Sequence, residues 1–369
     1  MTDFILHIGD GKCGSTSIQV ALHEARELLM EQGLMYDAPR ARGGHFNYAG
    51  LFGRNMRSGF DNAVAEVREH LASLSERIRK EKPEFVIISA ENFYVLLAED
   101  VVDFLEDHGL GRPACHIVAY ARSPASMYLS SLQQVIKGDH IIPDPNTYRR
   151  SLQRPFMSWA KSPQCRSITA VQFSRKTLVD GSSVKDFEER LRLITGNQKI
   201  SLHDKSVNTS LSAEQMQVLQ NFRRTRLAQH SGRLHPDSQA LISYFNALNT
   251  KFGLQGSKVQ LHEELVENIL GNNWDIMVRM DRLFPWMEMT KSLEQPVLPE
   301  TPPKAQIRLE HTDVSELLVD CDLDLVAALE TLSVRGREED LTDADYEACG
   351  KAMGLPAARL RHFHTGKRQ

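Results

Sequence analysis

Along the chain, short apolar runs alternate with longer segments in which apolar residues recur at helical spacing. The apolar runs are continuous, as in strands buried on both faces, and they cover residues 4–8, 85–89, 116–120 and 168–173. Helical spacing is clearest at residues 18–32 and 60–82. Strands separated by helices predict an α/β fold, with a central parallel sheet flanked by helices and ligands at the carboxyl ends of the strands.

The pattern becomes helical after about residue 200, with helices predicted at 212–229, 239–252 and 261–270. Several prolines then indicate a stiff linker, namely Pro296, Pro299, Pro302 and Pro303. We therefore expect four consecutive segments: an α/β core at 1–200, a helical extension of the same domain at 201–292, the linker at 293–306, and a small acidic helical tail at 307–369.

Composition narrows the class of protein. The 369 residues include 41% hydrophobic and 25% charged residues, which is typical of a globular protein. A net charge of -4 argues against general nucleic-acid binding but allows a local basic pocket. The chain shows no transmembrane-length apolar run and no leader at its start, so we expect a cytoplasmic protein. Its five scattered cysteines contain no CxxC pair and suggest neither disulfides nor zinc.

The first strand candidate runs into a glycine-punctuated loop and then into a helix. Gly9, Gly11 and Gly14 allow backbone amides to converge on an anion, and Lys12 adds a positive charge. Hydroxyls follow at the positive helix N-terminus, from Ser15, Thr16 and Ser17. This pattern predicts a phosphate-binding loop, with a plain glycine-rich turn as the alternative. Cys13 is interpreted as a small loop residue, although a reactive thiol is possible at a cationic helix start.

The order of residues distinguishes between kinds of phosphate loop. A Walker A loop places its lysine directly between a glycine and a Ser/Thr, whereas Lys12 precedes Gly14 by two residues. The loop instead resembles the 5'-phosphosulfate loop of sulfotransferases that use 3'-phosphoadenosine 5'-phosphosulfate (PAPS), in the branch that includes bacterial members. The resemblance implies that PAPS contacts Gly11, Lys12, Gly14, Ser15, Thr16 and Ser17, and that Lys12 stabilises charge during transfer.

A second motif extends the resemblance to about residue 191. The run at 116–120 leads into Arg122, Ser123 and Pro124, and Ser130 follows Arg122 by eight residues. In the family an arginine and a serine at this spacing bind the 3'-phosphate of the nucleotide, and arginine is suited to bidentate bonds with phosphate oxygens. The alternative is an arginine that caps a strand end and a serine that faces solvent.

Two residues are candidates for the base that accepts the proton of the acceptor. His45 lies in a polar, glycine-rich segment at 40–59, and an ordinary imidazole pKa of about 6.5 suits proton transfer at neutral pH. Glu91 follows the second main strand. We slightly favour His45, although either side chain could be structural. Arg42 and His140 are lesser candidates for acceptor contacts.

The resemblance therefore implies a sulfotransferase that transfers a sulfuryl group from PAPS to a hydroxyl acceptor, with a carbohydrate favoured and no metal required. Two other functions stay open. A P-loop kinase would use ATP and magnesium, although the lysine placement counts against it. A non-catalytic scaffold would bind the nucleotide without turnover and use its acidic tail for a partner.

Overall fold

The computed structural model describes residues 2–52, 60–205, 210–254, 256–291, 293–295, 298, 301 and 303–368. The chain divides into two compact units, each built from three separate stretches. Met1–Ser123, Arg150–Val207 and Trp274–Glu294 form the first, and Pro124–Arg149, Asn208–Asn273 and Gln295–Gln369 form the second. The units are thus interleaved along the chain, whereas the segments expected from the sequence are consecutive. Pro296, Pro299 and Pro302 of the expected linker lie outside the described residues.

The strands are β1 (Asp3–His7), β2 (Leu34–Met35), β3 (Phe85–Ser89), β4 (Cys115–Ala121), β5 (Ile142–Pro143), β6 (Cys165–Gln172) and β7 (Arg308–Leu309). The helices are α1 (Ser15–Glu24), α2 (Arg26–Glu31), α3 (Phe60–Glu81), α4 (Ala98–Asp107), α5 (Pro124–Gly138), α6 (Gln153–Ala160), α7 (Ser183–Thr195), α8 (Ala213–Arg226), α9 (Pro236–Phe252), α10 (Glu263–Leu283), α11 (Leu323–Glu330), α12 (Gly336–Glu338), α13 (Asp343–Met353) and α14 (Ala357–Arg368).

In the part of the chain that the structure describes, five parallel strands form the central sheet of the first unit, in the order β2-β3-β1-β4-β6. This confirms the predicted α/β fold and parallel sheet. Strand β1 lies at the centre, with Ile5 paired to Ile87 of β3 and to His116 of β4. Strands β3 and β4 lie on opposite sides of β1 within the sheet, and in parallel sheets such a change of direction in the strand order forms a crevice at the carboxyl ends of the strands.

Local sequence explains how the helices of this unit begin and end. The predicted helix at 18–32 is interrupted, because Ala25 leaves helical geometry (φ -89°, ψ 1°) between α1 and α2. Helix α3 follows the apolar spacing over its whole predicted length. Ser182 caps α7 by accepting from the amides of Val184 and Lys185, and Gly196 ends that helix in the left-handed conformation.

The second unit is mainly helical. Ser212 and Gln215 form a capping box at the start of α8, and Pro236 occupies the first position of α9. Helix α10 extends well beyond the predicted range, and the division between the units falls within it. The tail helices α11, α13 and α14 share one apolar core with α8 and α9, which includes Leu219, Leu241, Leu329 and Leu360. Strand β5 pairs antiparallel with β7.

Measured over the described ranges, the helices are all too short or too polar to cross a lipid bilayer.

Candidate functional site

The loop between β1 and α1 leaves the centre of the sheet at its carboxyl edge. It first continues along β4, because the amide of Ile8 donates to Val118 O (3.1 Å) and that of Asp10 to Tyr120 O (3.0 Å). Lys12 and Gly14 then take positive φ values of 67° and 76°. The N-cap position of α1 is Gly14, which has no side chain to cap the helix. The first amides of α1 are therefore oriented for an anion at this end of the helix.

Two glycines of this loop occupy positions that favour glycine, Gly14 because of its surroundings and its backbone, and Gly9 because of its backbone. A Cβ on Gly14 would lie 2.5 Å from Ser183 Oγ at the start of α7, so the loop packs directly against that helix. Gly9 also has a positive φ, of 44°. A Cβ there would lie 3.4 Å from the Cβ of Glu91 and 3.5 Å from Nε2 of His7. The backbone at Gly9 therefore adjoins both the end of β3 and the end of β1.

Glu91, which follows β3, is connected to the loop by a short hydrogen bond. The hydroxyl of Ser15 is buried and donates to Glu91 Oε2 at 2.6 Å. Partial burial lowers the pKa of Lys12, with Glu91 opposing this shift and Arg122 adding to it. The structure thus brings Glu91 next to Lys12 and Ser15, which belong to a different segment of the sequence.

Arg122 begins the segment after β4 and is half-buried. Its guanidinium lies 4.5 Å from the centroid of the Phe173 ring, a cation–π arrangement that fixes the side chain beside the strand end. The positive charge of Arg122 acts to lower the pKa of both Lys12 and Asp10. Ser130, the other member of the predicted pair, is half-buried on α5 in the second unit, and its assignment stays a prediction.

Asp10 and Arg150 also belong to this candidate site, although no sequence pattern pointed to them. The guanidinium of Arg150 donates to both carboxylate oxygens of Asp10, each at 2.7 Å, across 140 residues of sequence. Burial raises the pKa of Asp10, and the bonds and charge of Arg150 only partly oppose that. No local signal marks Arg150, since it follows another arginine in a polar stretch. Lys12, Arg122 and Arg150 thus gather around a loop that also contains a carboxylate.

His45 does not occupy the position expected of a catalytic base. It is 1% exposed, and its Nδ1 accepts from the amide of Ser89 at 3.1 Å. Its Nε2 must then carry the proton and donate to Asp37 O at 3.0 Å. Burial lowers its pKa to about 4. Both ring nitrogens are committed to the backbone, so this geometry argues against the expectation that His45 is the base and leaves Glu91 as the candidate.

His7 lies directly behind the loop and is fully buried. Its Nδ1 is 2.8 Å from the hydroxyl of Ser89, which also accepts from Gln19 Nε2 at 3.2 Å. Burial lowers the pKa of His7 to about 3, so the ring is neutral. Within the described ranges its Nε2 has no hydrogen-bond partner. Buried polar atoms are normally hydrogen-bonded, so the Nε2 atom of His7 next to Gly9 is an unusual feature of this end of β1.

The remaining candidates lie elsewhere or are inert. Arg42 lines a cavity of about 180 Å³ in the first unit, together with Arg40, His45, Phe46 and Glu66. His140 lies in the second unit, 3.7 Å from the carboxylate of Asp139. Burial and the charge of Asp10 raise the pKa of the Cys13 thiol, which opposes a reactive role. Among the described residues, no group of three or more His, Cys, Asp or Glu side chains could hold a metal ion.

No protein-family model, curated protein or solved structure matches this chain. The functional interpretation therefore depends on the residues of the site and their geometry.

Proposed function

We propose that this chain is a PAPS-dependent sulfotransferase, which transfers a sulfuryl group from PAPS to a hydroxyl acceptor. The observation that supports it most is the loop between β1 and α1, where Lys12 and an uncapped helix start adjoin Arg122 from the neighbouring strand. A nucleotide with phosphates at two positions requires two separate cationic contacts, and Lys12 and Arg122 supply them from different elements. The site residues thus fit PAPS as co-substrate.

Each residue has a defined task in this proposal. The amides and hydroxyls at the start of α1 bind the 5'-phosphosulfate, and Lys12 stabilises the negative charge that develops on the departing phosphate. Arg122 binds the 3'-phosphate through charge-assisted hydrogen bonds. In the transfer, a bond forms between the acceptor oxygen and sulfur, and the bond between sulfur and the 5'-phosphate oxygen breaks.

Glu91 is the group that we assign to accept the proton of the acceptor hydroxyl. Its carboxylate follows β3 and is bonded to the loop through Ser15, so it lies beside the place proposed for the sulfuryl group. His45 supports this position from behind, because it bonds to the backbone of Ser89, two residues before Glu91. We therefore assign His45 a structural role.

The acceptor is proposed to be a carbohydrate hydroxyl. The cavity lined by Arg42 is the candidate binding site, since it shares His45 with the wall next to Ser89. Polar and aromatic groups line it together, including Phe46 and Asn47, a combination suited to a sugar ring with its polar edge and apolar face.

The first test needs no acceptor. Calorimetric titration with 3',5'-adenosine bisphosphate should show binding to the wild type. Arg122→Ala should weaken it by about 10- to 100-fold, the effect of losing a charge-assisted hydrogen-bonding group. Arg166→Ala is the matched control, because Arg166 is an exposed arginine near the amino end of β6, away from the loop. It should bind like the wild type.

Titration with ATP and magnesium tests the competing function. Binding of ATP with magnesium, and none of the bisphosphate, would replace the proposal with a phosphotransferase. Binding of the bisphosphate without any sulfuryl transfer from labelled PAPS, across a broad set of hydroxyl acceptors, would instead favour a scaffold.

A further inference from the structure

One hydroxyl connects the anion-binding loop to the proposed base. Ser15 is the first residue of α1, and its buried hydroxyl donates to Glu91 Oε2 at 2.6 Å. A serine hydroxyl carries a single proton. The start of α1 is also where the loop directs its amides and where Lys12 lies. A phosphate bound there and the carboxylate of Glu91 would therefore compete for the same donor.

We propose that Ser15 couples nucleotide binding to proton acceptance by Glu91, donating to Glu91 when the nucleotide is absent and to the nucleotide's 5'-phosphate when it is bound. This inference rests on the proposed function. Nucleotide binding then frees a carboxylate oxygen for the acceptor hydroxyl. The enzyme would activate its acceptor only when the sulfuryl donor is in place.

The charges around Glu91 also favour proton acceptance by Glu91 once the nucleotide is bound. Glu91 accepts the hydrogen bond of Ser15 and interacts with the positive charge of Lys12, and both contacts stabilise its carboxylate. When a phosphate takes the Ser15 donor and attracts Lys12, that stabilisation is lost and a new negative charge lies nearby. Glu91 should then bind a proton more readily. His7 adjoins Gly9 from the other side but adds no charge near Glu91 above pH 5, because burial lowers its pKa to about 3.

Proton uptake on nucleotide binding tests this coupling. Titration with 3',5'-adenosine bisphosphate in buffers of different ionisation enthalpy, between pH 5 and 7, gives the number of protons taken up. The phosphates of the nucleotide titrate in this range themselves, with a pKa of about 6. The readout is therefore the difference between the wild type and Glu91→Gln. We expect uptake in the wild type that exceeds the uptake in Glu91→Gln.

Variants of Ser15 separate the coupling from a general effect on the loop. Ser15→Ala should reduce the Glu91-dependent part of the uptake, since Glu91 then lacks this donor in both states and responds only to the charge of the bound phosphate. Ser15→Thr keeps a hydroxyl and should restore it. Ser17→Ala removes a hydroxyl from the same turn and should keep the Glu91-dependent uptake, even where its affinity falls. Circular dichroism spectra verify that each variant is folded.

Two results would overturn the inference, and they differ from a failure of the proposed function. Equal proton uptake by the wild type and Glu91→Gln would show that Glu91 does not respond to the nucleotide. Unchanged uptake in Ser15→Ala would show that Ser15 does not transmit the response. A wild type that does not bind the bisphosphate at all would remove the proposed function, and this inference with it.

Discussion

Asp10 is a negative charge within a loop whose other features favour anions. Its carboxylate is 4% exposed and is paired through both oxygens with Arg150. A carboxylate at this place would repel a phosphate unless a cation neutralised it. Arg150 thus contributes to anion binding in two ways, by its own charge and by cancelling that of Asp10.

We predict that Arg150→Ala reduces both stability and nucleotide affinity. It leaves a buried carboxylate without its partner, which typically costs about 3–5 kcal/mol of unfolding free energy. The same unpaired charge should weaken binding of 3',5'-adenosine bisphosphate by at least about tenfold. Urea denaturation and calorimetry measure the two effects on the same preparation.

The double variant Asp10→Asn/Arg150→Ala distinguishes the charge effect from simple loss of a side chain. Removing the carboxylate should recover much of the lost stability and part of the affinity. Arg154→Ala, at an exposed position on α6 in the same unit, is the control and should change neither quantity. Additive effects of Asp10→Asn and Arg150→Ala would contradict the proposed pairing role.

The candidate residues that the sequence predicts, and that lie close together in the structure, are those next to a recognisable element. Lys12 lies in the glycine-punctuated loop and Ser15 begins the helix after it, and Glu91 and Arg122 follow apolar runs that form β3 and β4. Arg150 was missed because its partner lies 140 residues away and no local pattern reports such a contact. The sequence favours His45 as the base because an ordinary imidazole pKa suits proton transfer at neutral pH and because the neighbours of His45 in the sequence are polar. Its burial against Ser89 arises only from tertiary packing.

At the scale of elements, α1 and α7 meet at Gly14. A side chain at Gly14 would have to adopt a φ of 76°, and its Cβ would approach the Oγ and Cβ of Ser183 to 2.5 and 2.7 Å. We predict that Gly14→Ala lowers the unfolding free energy by about 2–3 kcal/mol, combining the left-handed backbone penalty with overpacking. Urea denaturation measures this change.

Gly11 is the matched control in the same loop. A Cβ on Gly11 would meet nothing within 4 Å, and Gly11 is not among the glycines with positive φ. Gly11→Ala should therefore leave the unfolding free energy nearly unchanged. Equal destabilisation by both substitutions would show that the loop requires glycine for a reason other than the contact with Ser183.

Strong periodicity predicted elements well, and weak signals did not. The apolar run at Phe85–Ser89 matches β3 residue for residue, and the spacing from Phe60 matches α3. The interruption at Ala25 was missed because alanine carries no helix-ending signal. Strands β5 and β7 contain two residues each and exist only through their pairing, which a sequence pattern of that length cannot indicate.

At the scale of the whole molecule, the chain leaves the first unit and returns to it twice. Composition predicts consecutive segments, because a linker is recognised in the sequence by local features such as a group of prolines. Interleaved units depend on contacts between distant stretches, which composition does not contain. The tail is an example of such contacts, since its helices share an apolar core with α8 and α9, which lie far from it in the sequence.

The two buried histidines of the first unit predict how its stability depends on pH. Burial lowers the pKa of His7 to about 3 and that of His45 to about 4, from an ordinary value of 6.5. Below pH 6.5 the unfolded chain binds protons that the folded chain excludes. The contribution of these histidines to the unfolding free energy should therefore be fully present above pH 6.5. It should fall as the pH drops towards 4, by about 1.4 kcal/mol per pH unit for each histidine.

Tryptophan fluorescence during urea denaturation measures this dependence, because the three tryptophans of the chain, Trp159, Trp274 and Trp286, all belong to the first unit. His7→Gln should reduce the slope between pH 6.5 and 4 by about 1.4 kcal/mol per pH unit, the contribution of one excluded proton, while the slope from His45 and from the lowered pKa of His116 remains. His203 is exposed in the same unit, so His203→Gln should keep the wild-type slope. An unchanged slope in His7→Gln would mean that His7 binds its proton in the folded state. The ring would then be charged behind the loop, and it would itself attract the anion that we assign to Lys12 and α1.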